Sequence, residues 1–417
     1  MVEDFRTADG SLVLERFYNS RGYSGSTNNL SRYPLGLGLQ WHFWFQQEVH
    51  FLFNSSVVRA ELATAQGGSF TFQRNASTGA MEPLSPNYGI QPQTDYKLEL
   101  IGTWPSNLND LSTSSSQWRM TDSDDAVWVF ETYIDPALTN YVIAHPLSVT
   151  SRDGLQLTFT YGTYKQLTAI TDGFGKSITF DWLLRDRTAA GGTGINATAI
   201  SRATLPDGTK LEYIYDSPHV MTITGFAIDY TDRLIRVEHR DASNNLLNKT
   251  EYLHDHSIYK WNITGIKDAA GTQRWTVDYD SDGHAITSKG PNDADKTTVS
   301  YGTVAAPSFT RTVTNALGKQ TVYTWDWAYT KLNLISIAGS ASTNCPADNS
   351  TLTYASNFIQ SFTDAEGRVT RYTRNSLGQE TQRVEAYGTG LAKTISTTWH
   401  STLKVPTRSL NPASRPI

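Results

Sequence analysis

Two histidines, His254 and His256, stand in YLHDHSIY (252–259), on one face of an extended segment. That spacing can bring two imidazoles onto one metal ion. No further His, Asp or Glu cluster at a fixed spacing accompanies them, so they are expected to be surface or sheet-face histidines. DSDG (280–283) and TDSDDA (121–126) resemble pieces of a calcium loop but lack its later bidentate Glu; Asp-Gly hairpin turns account for them. RGYSGS (21–26) only approximates a nucleophile elbow, and GLGLQW (36–41) lacks the third glycine and the following helix of a dinucleotide loop. Nothing picks out two of the 40 acidic residues as a glycosidase pair. WHFWF (41–45), Trp325, Trp327 and Trp399 could stack on sugar rings, but cross-strand packing is the simpler use of Tyr and Trp at period 2. Sequons, Asn54, Asn75 and Asn196 among them, occur near the frequency that chance gives a Ser/Thr-rich chain. No catalytic or metal-binding residue and no cofactor is assigned, no ligand-binding residue is identified, and the chain is not expected to be an enzyme.

The elements that would position any such group are repeated. Taking a turn glycine as zero, Gly154 is followed at +3, +5 and +7 by Leu157, Phe159 and Tyr161. Gly175 gives Ile178, Phe180 and Trp182; Gly208 gives Leu211, Tyr213 and Tyr215; Gly318 gives Thr321, Tyr323 and Trp325; Gly367 gives Thr370, Tyr372 and Arg374. Side chains two apart share a strand face, so each set lines one face. Gly271 gives Trp275, Val277 and Tyr279 one position late, as a bulge would produce. Weaker units start from Leu247 (Thr250, Tyr252, His254), Ala294 (Thr297, Val299, Tyr301) and Gly390 (Lys393, Ile395, Thr397), with a degenerate one around Tyr354. Zero points at 247, 271, 294 and 318 stand 23 or 24 residues apart, enough for two strands and two turns. Return strands are visible in KQLTAITD (165–172) and GHAITSKG (283–290), while AAGGTGINAT (189–198) reads as a loop insertion. One hairpin cannot bury an aromatic face alone, but an array can. The chain is therefore expected to be all-β, with residues 150–417 forming an array of hairpins in one long, curled antiparallel sheet.

The residues resemble the RHS, or YD-repeat, proteins, whose signature is a G-x-x-x-x-Y-x-Y-D-x-x-G-x-L hairpin. GTQRWTVDYDSDGHAI (271–286) and GTKLEYIYD (208–216) carry it. GSLVLERFYNSRGYSGSTNNLSRYPLGLGLQW (10–41) is similar to the module that precedes the repeats in bacterial members. Arg16, Tyr18, Asn19 and Ser20 match its Arg-x-Tyr-Asn-Ser; Gly38 and Trp41 are separated by two residues where the family's Gly-x-Gly-Trp turn has none. DDAVWVFETY (124–133) suits a strand of the linking region, so residues 1–149 are read as an N-terminal β module and linker. The resemblance implies a non-enzymatic scaffold, a segment of a shell that encloses a C-terminal toxin and helps deliver it. The implied partners are downstream repeats and that toxin domain, with a secretion apparatus or cell-surface glycans beyond them. The alternative is a cell-surface or secreted YD-repeat protein that binds carbohydrate or another cell surface.

The formal net charge of -5 gives no reason to expect a nucleic-acid partner. The single Cys345 excludes an intrachain disulfide. No apolar run approaches the roughly 20 residues of a membrane span, and MVEDFRTADG has no signal-peptide core. Either export is expected to be signal-peptide-independent, with the protein secreted by that route or cytoplasmic before delivery, or the true N-terminus is expected to lie upstream of Met1. The family's Asp-Pro-x-Gly-Leu motif has no counterpart: Asp135-Pro136-Ala137-Leu138 lacks the Gly, and NPASRPI (411–417) falls where the next turn is due. The chain is expected to be the front part of a shell, ending inside a repeat.

Overall fold

The computed structural model describes residues 1–18, 37, 40–53, 58–63, 69–84, 96–133, 141–163, 165–186, 195–216, 219–223, 226–231, 233–302, 308–328, 331–341, 343, 346–355, 358–375, 378–401 and 405–410. About 60% of the chain is strand, the pairings are antiparallel, and the described residues contain no α-helix. Two compact units form: residues 1–82 with 97–276, and residues 83–96 with 277–417. Asn19, Ser20, Gly38, Asp135-Pro136, Cys345 and NPASRPI lie outside the described residues.

The hairpins turn on one recurring device. In Asp268–Thr272 the Asp268 amide donates to the Thr272 carbonyl at 3.0 Å, and the Gly271 amide donates back to the Asp268 carbonyl at 2.9 Å. The Asp268 carboxylate accepts from the amides of Ala270 and Thr272 at 3.0 and 2.9 Å, so an Asx cap satisfies donors the tight loop leaves free. Asp172, Asp280, Asn315 and Asp364 cap their own turns in the same way. The residue closing each loop is left-handed, with φ +91° at Gly154, +85° at Gly175, +83° at Gly208, +79° at Gly271, +78° at Gly318 and +78° at Gly367.

Three weaker units are corrected by this geometry. Leu247 is not a turn residue but lies in the strand Leu246–Leu253; Asn244, with φ +72°, closes that loop, because a short amide side chain tolerates the left-handed region. Ala294 has φ -60°, and the left-handed positions beside it belong to Asn292, Asp293 and Asp295, so its Cβ meets no strain there. Gly388, not Gly390, is left-handed, and the strand Lys393–Trp399 carries its pattern two residues later, on Ile395, Thr397 and Trp399.

A Cβ at Gly367 would meet no neighbour within 4 Å, so a side chain there costs backbone strain and nothing else. Gly367→Val is expected to destabilise its hairpin by about 1–3 kcal/mol and Gly367→Asn by distinctly less. Hydrogen exchange of the strands on either side measures both. Equal protection in the two variants would show that the left-handed φ is not what constrains this position.

The +7 aromatic performs a second repeated task. Tyr161 donates its hydroxyl to the Pro146 carbonyl at 2.8 Å, Trp182 its Nε1–H to Leu167 at 2.6 Å, and Tyr215 its hydroxyl to Ile200 at 2.7 Å. Tyr301, Tyr354 and Trp399 do the same to Ala285, Leu334 and Glu380 at 2.9, 2.8 and 2.8 Å. In each case the acceptor belongs to the preceding strand. A register shift stands immediately before Tyr161, Trp182, Tyr215, Trp325, Tyr354 and Trp399. Tyr301 makes its bond without such a shift, so the bulge accompanies most of these bonds and is not required for them; each contributes about 1 kcal/mol net. Ile266↔Trp275 followed by Lys267↔Gln273 leaves Arg274 bulged, which is why the Gly271 unit runs one position late.

The two faces of the first unit differ in chemistry. Leu157, Phe159, Ile178, Phe180, Leu211 and Tyr213 are buried on one. Across the other runs a charged row in register, Asp181↔Arg202↔Glu212↔Glu238. The like-charged Glu212 and Glu238 stand directly opposite; Arg202 offsets the first at 2.7 Å, and Arg236 and Arg240 grip the second.

Candidate functional site: an N-terminal sheet seated on the aromatic face

The strands Val2–Arg6, Val13–Tyr18 and Trp41–Phe43 form a small antiparallel sheet. LVLERFY alternates, which places Leu12, Leu14 and Arg16 on one face, and all three are buried. This sheet and the segment after it pack on the apolar face of the first repeats. The Phe43 ring centroid lies 5.8 Å from Tyr213 and 6.2 Å from Phe180. Phe45 lies 5.7 Å from Phe180 and 6.4 Å from Phe159, while Trp44 meets Trp128 edge-on at 5.9 Å. Each buried Phe contributes about 1.5–3 kcal/mol, so these rings outweigh any single polar contact in holding the sheet down.

A charged cluster sits inside that contact. Arg16 is 2% exposed and its Nε donates to Asp4 Oδ2 at 2.6 Å, a carboxylate only 6% exposed. Arg16 Nη1 donates to the Tyr252 hydroxyl at 2.6 Å, and the Tyr213 hydroxyl donates to Asp4 Oδ2 at 3.2 Å. The guanidinium lies 4.7 Å from the Trp41 ring centroid and 5.4 Å from that of Tyr252. Burial alone would make Arg16 easier to deprotonate, but the Asp4 carboxylate reverses this and leaves it more firmly protonated than usual. Burial pushes the Tyr213 hydroxyl well above its ordinary range, with Asp4 adding to the shift. Tyr252 is raised by burial against the pull of Arg16. The cluster is therefore one buried ion pair with neutral phenols as its remaining partners. It holds and orients the N-terminal sheet on the repeats.

Around this centre the seat is pinned at its margins. The Tyr18 hydroxyl accepts from the Ile263 amide at 2.9 Å, Gln40 Nε2 donates to Asn262 Oδ1 at 3.2 Å, and Lys176 pairs with Asp9. Beside it a cavity of about 280 Å³ is lined by Arg6, Ser11, Glu15, Trp44, Leu155 and Leu157. Its charged groups already pair, Arg6 with Glu3 at 2.7 Å and with Glu15 at 3.5 Å.

The residues with metal-binding chemistry are otherwise engaged. His254 has both ring nitrogens against backbone carbonyls, and His256 Nδ1 accepts from the amides of Ile258 and Tyr259 at 3.2 and 2.9 Å, so the pair does not converge. Asp280, Asp282 and His284 can each bring one ligand atom within 4.8 Å of the others. One Asp280 oxygen there caps the turn and the other meets His284 Nδ1 at 3.1 Å. In the second unit Tyr323 and Trp325 stack at 5.7 Å on one face, and Arg374 lies over the Tyr372 ring at 5.6 Å.

Sequence reasoning reached Arg16, Tyr18 and Trp41 only as a motif match and did not find Asp4 or the role of Tyr252. The available signal was an Arg in phase with Leu12 and Leu14. Such a position requires a buried counter-charge.

No family model and no curated protein matches the chain. Among solved structures it is similar to TcdB2-TccC3-Cdc42, at 13% identity over 85% of this chain and 24% of that one, with a TM-score of 0.20. The TcdB2-TccC3-TEV structure gives 12% identity over 87% of this chain and 24% of that one, with a TM-score of 0.22. A porin-like protein from Bacteroides uniformis gives 7% identity, 82% and 96% coverage, and a TM-score of 0.14. The chain thus spans about a quarter of the TcdB2-TccC3 chains.

Proposed function

We propose that this chain is a non-enzymatic segment of an RHS-repeat shell, which encloses a toxin domain of the same gene product and helps deliver it. The observation that supports this reading is a change of chemistry at equivalent positions. After Gly154, Gly175 and Gly208 of the first unit the +3 residues are Leu157, Ile178 and Leu211, all buried. After Ala294, Gly318 and Gly367 of the second they are Thr297, Thr321 and Thr370, half-exposed, with Val299, Tyr323 and Tyr372 beside them at +5, also half-exposed. A face of mixed hydroxyls and aromatic rings can rest against a polypeptide of changing sequence without a matched core. An aliphatic face demands one. On this reading the N-terminal sheet closes the first repeats and the later ones are left to face cargo. No helix among the described residues is long and apolar enough to cross a membrane. Export by a specialised secretion apparatus, without a signal peptide, completes the proposal.

The test is limited proteolysis of the complete gene product. A domain downstream of the repeats should survive protease while the repeats are intact and be cut once they are unfolded. Cleavage of that domain at the rate of the free domain overturns the reading. So does a gene product in which nothing follows the repeats.

A further inference from the structure

The residues at +5 face different partners in the two units. In the first, Phe159, Phe180 and Tyr213 stand directly opposite Ile170, Ala203 and Val237. In the second, Tyr323 stands opposite Arg311 and Tyr372 opposite Arg383, while Val299 keeps an apolar partner in Val313. Tyr301 also stands opposite Arg311, which places that arginine in a row between two tyrosines. Residues opposite in register share a sheet face, so both arginines lie on the face that Tyr323 and Tyr372 present. These side chains are half-exposed. The Arg311 guanidinium lies 4.8 Å from the Tyr301 ring centroid, and its Nη1 donates to the Thr310 carbonyl at 2.7 Å. Among the described residues no carboxylate pairs with it, and the hydroxyls of Tyr323 and Tyr372 have no partner. Arg383 meets Glu385 at 3.3 Å, but the two side chains are 39% and 42% exposed, and an ion pair so open to water is worth little. Glu385 in turn stands opposite Lys393.

What these positions offer a partner is hydrogen-bond donors: guanidinium N–H groups, phenol O–H groups and the hydroxyls of Thr321 and Thr370 two residues before the tyrosines. A planar guanidinium accepts a carboxylate through two parallel bonds, and an aromatic ring against it holds the fork in place. The distribution of charge along the chain agrees. Residues 277–417 carry 13 Lys and Arg against 11 Asp and Glu, whereas residues 1–276 carry 22 against 29. The positive excess therefore falls on the part of the chain that contains Arg311 and Arg383. We propose that the Tyr323 and Tyr372 face docks an acidic stretch of polypeptide, its carboxylates received by Arg311 and Arg383 and its apolar parts by the neighbouring rings. On the shell reading, on which this depends, that stretch belongs to the enclosed domain.

Hydrogen exchange of the chain with poly-L-glutamate of about 20 residues, at about 50 mM salt where screening is weak, tests this. The expected result is slower exchange in Ser308–Thr314, Gln320–Ala328 and Glu380–Glu385, with poly-L-lysine of the same length leaving those strands unchanged. Arg311→Gln combined with Arg383→Gln should weaken polyglutamate binding about tenfold or more, read as fluorescence anisotropy of the labelled probe. Polyglutamate that protects none of these strands overturns the proposal, as does equal protection by polylysine or a double variant that binds like the parent. An oligonucleotide that protects them where polyglutamate does not overturns it in favour of a nucleic-acid surface. If the double variant does not fold, salt decides on the unmodified chain: protection should vanish at about 500 mM, and protection that survives overturns carboxylate docking. The shell reading is tested apart from this, by proteolysis of the complete gene product. A downstream domain shielded from protease, together with a failure of polyglutamate to bind, leaves the shell standing and removes only the acidic partner.

Discussion

Arg16→Met is expected to destabilise the first unit by about 3–5 kcal/mol, the cost of leaving a buried carboxylate without its counter-charge. Among the described residues Asp4 has no alternative cation: Arg16 lies 2.6 Å away, and its other partner is the hydroxyl of Tyr213. Tyr252 loses a donor at the same time, and Trp41 loses the guanidinium against its ring. The paired change Arg16→Met with Asp4→Leu should recover most of the loss, because desolvating both ions consumes much of what their attraction returns. Two compact units make a single unfolding midpoint a poor measure. The quantity to follow is hydrogen-exchange protection of Tyr213 and Tyr252, in strands that belong to the first unit. A single variant as stable as the parent would mean that water reaches Asp4. Failure of the double variant to recover would instead make the pair a net stabiliser, beyond a registration device.

The repeats were legible for a local reason and the seat was illegible for a non-local one. Period-2 faces and turn glycines lie within a few residues of each other, so Gly175, Phe180 and Trp182 could be set in register by counting. Counting slipped where another residue does the work of glycine, as Asn244 does, or where two glycines compete, as Gly388 and Gly390 do before Trp399. The ring-to-carbonyl bonds were invisible because each reaches back to a backbone carbonyl of the preceding strand, a group that every residue type carries. The seat joins Arg16 to Tyr252 across 236 positions and Asp4 to Tyr213 across 209. No spacing rule reaches so far. The strand Val127–Tyr133 was readable because its buried residues, Trp128, Phe130 and Thr132, alternate cleanly.

Phe180→Ala and Tyr323→Ala change the same +5 position in two units, and the first is expected to cost distinctly more than the second. Phe180 is 4% exposed, between Phe43 and Phe45, so truncation leaves a cavity beneath the seated sheet and costs about 3–5 kcal/mol. Tyr323 is half-exposed and rests on Trp325; removing it forfeits one aromatic contact and partial burial, about 1–2 kcal/mol. Local exchange protection in Ser177–Asp186 and Gln320–Ala328 reads the two effects separately. Equal costs would mean that the second face is covered as tightly as the first, and the argument for a face left free to meet cargo would fall. In the complete gene product the shell reading makes a sharper demand. Cargo resting on Tyr323 should raise the cost of its removal toward that of Phe180, while the cost at Phe180, already covered, stays where it was.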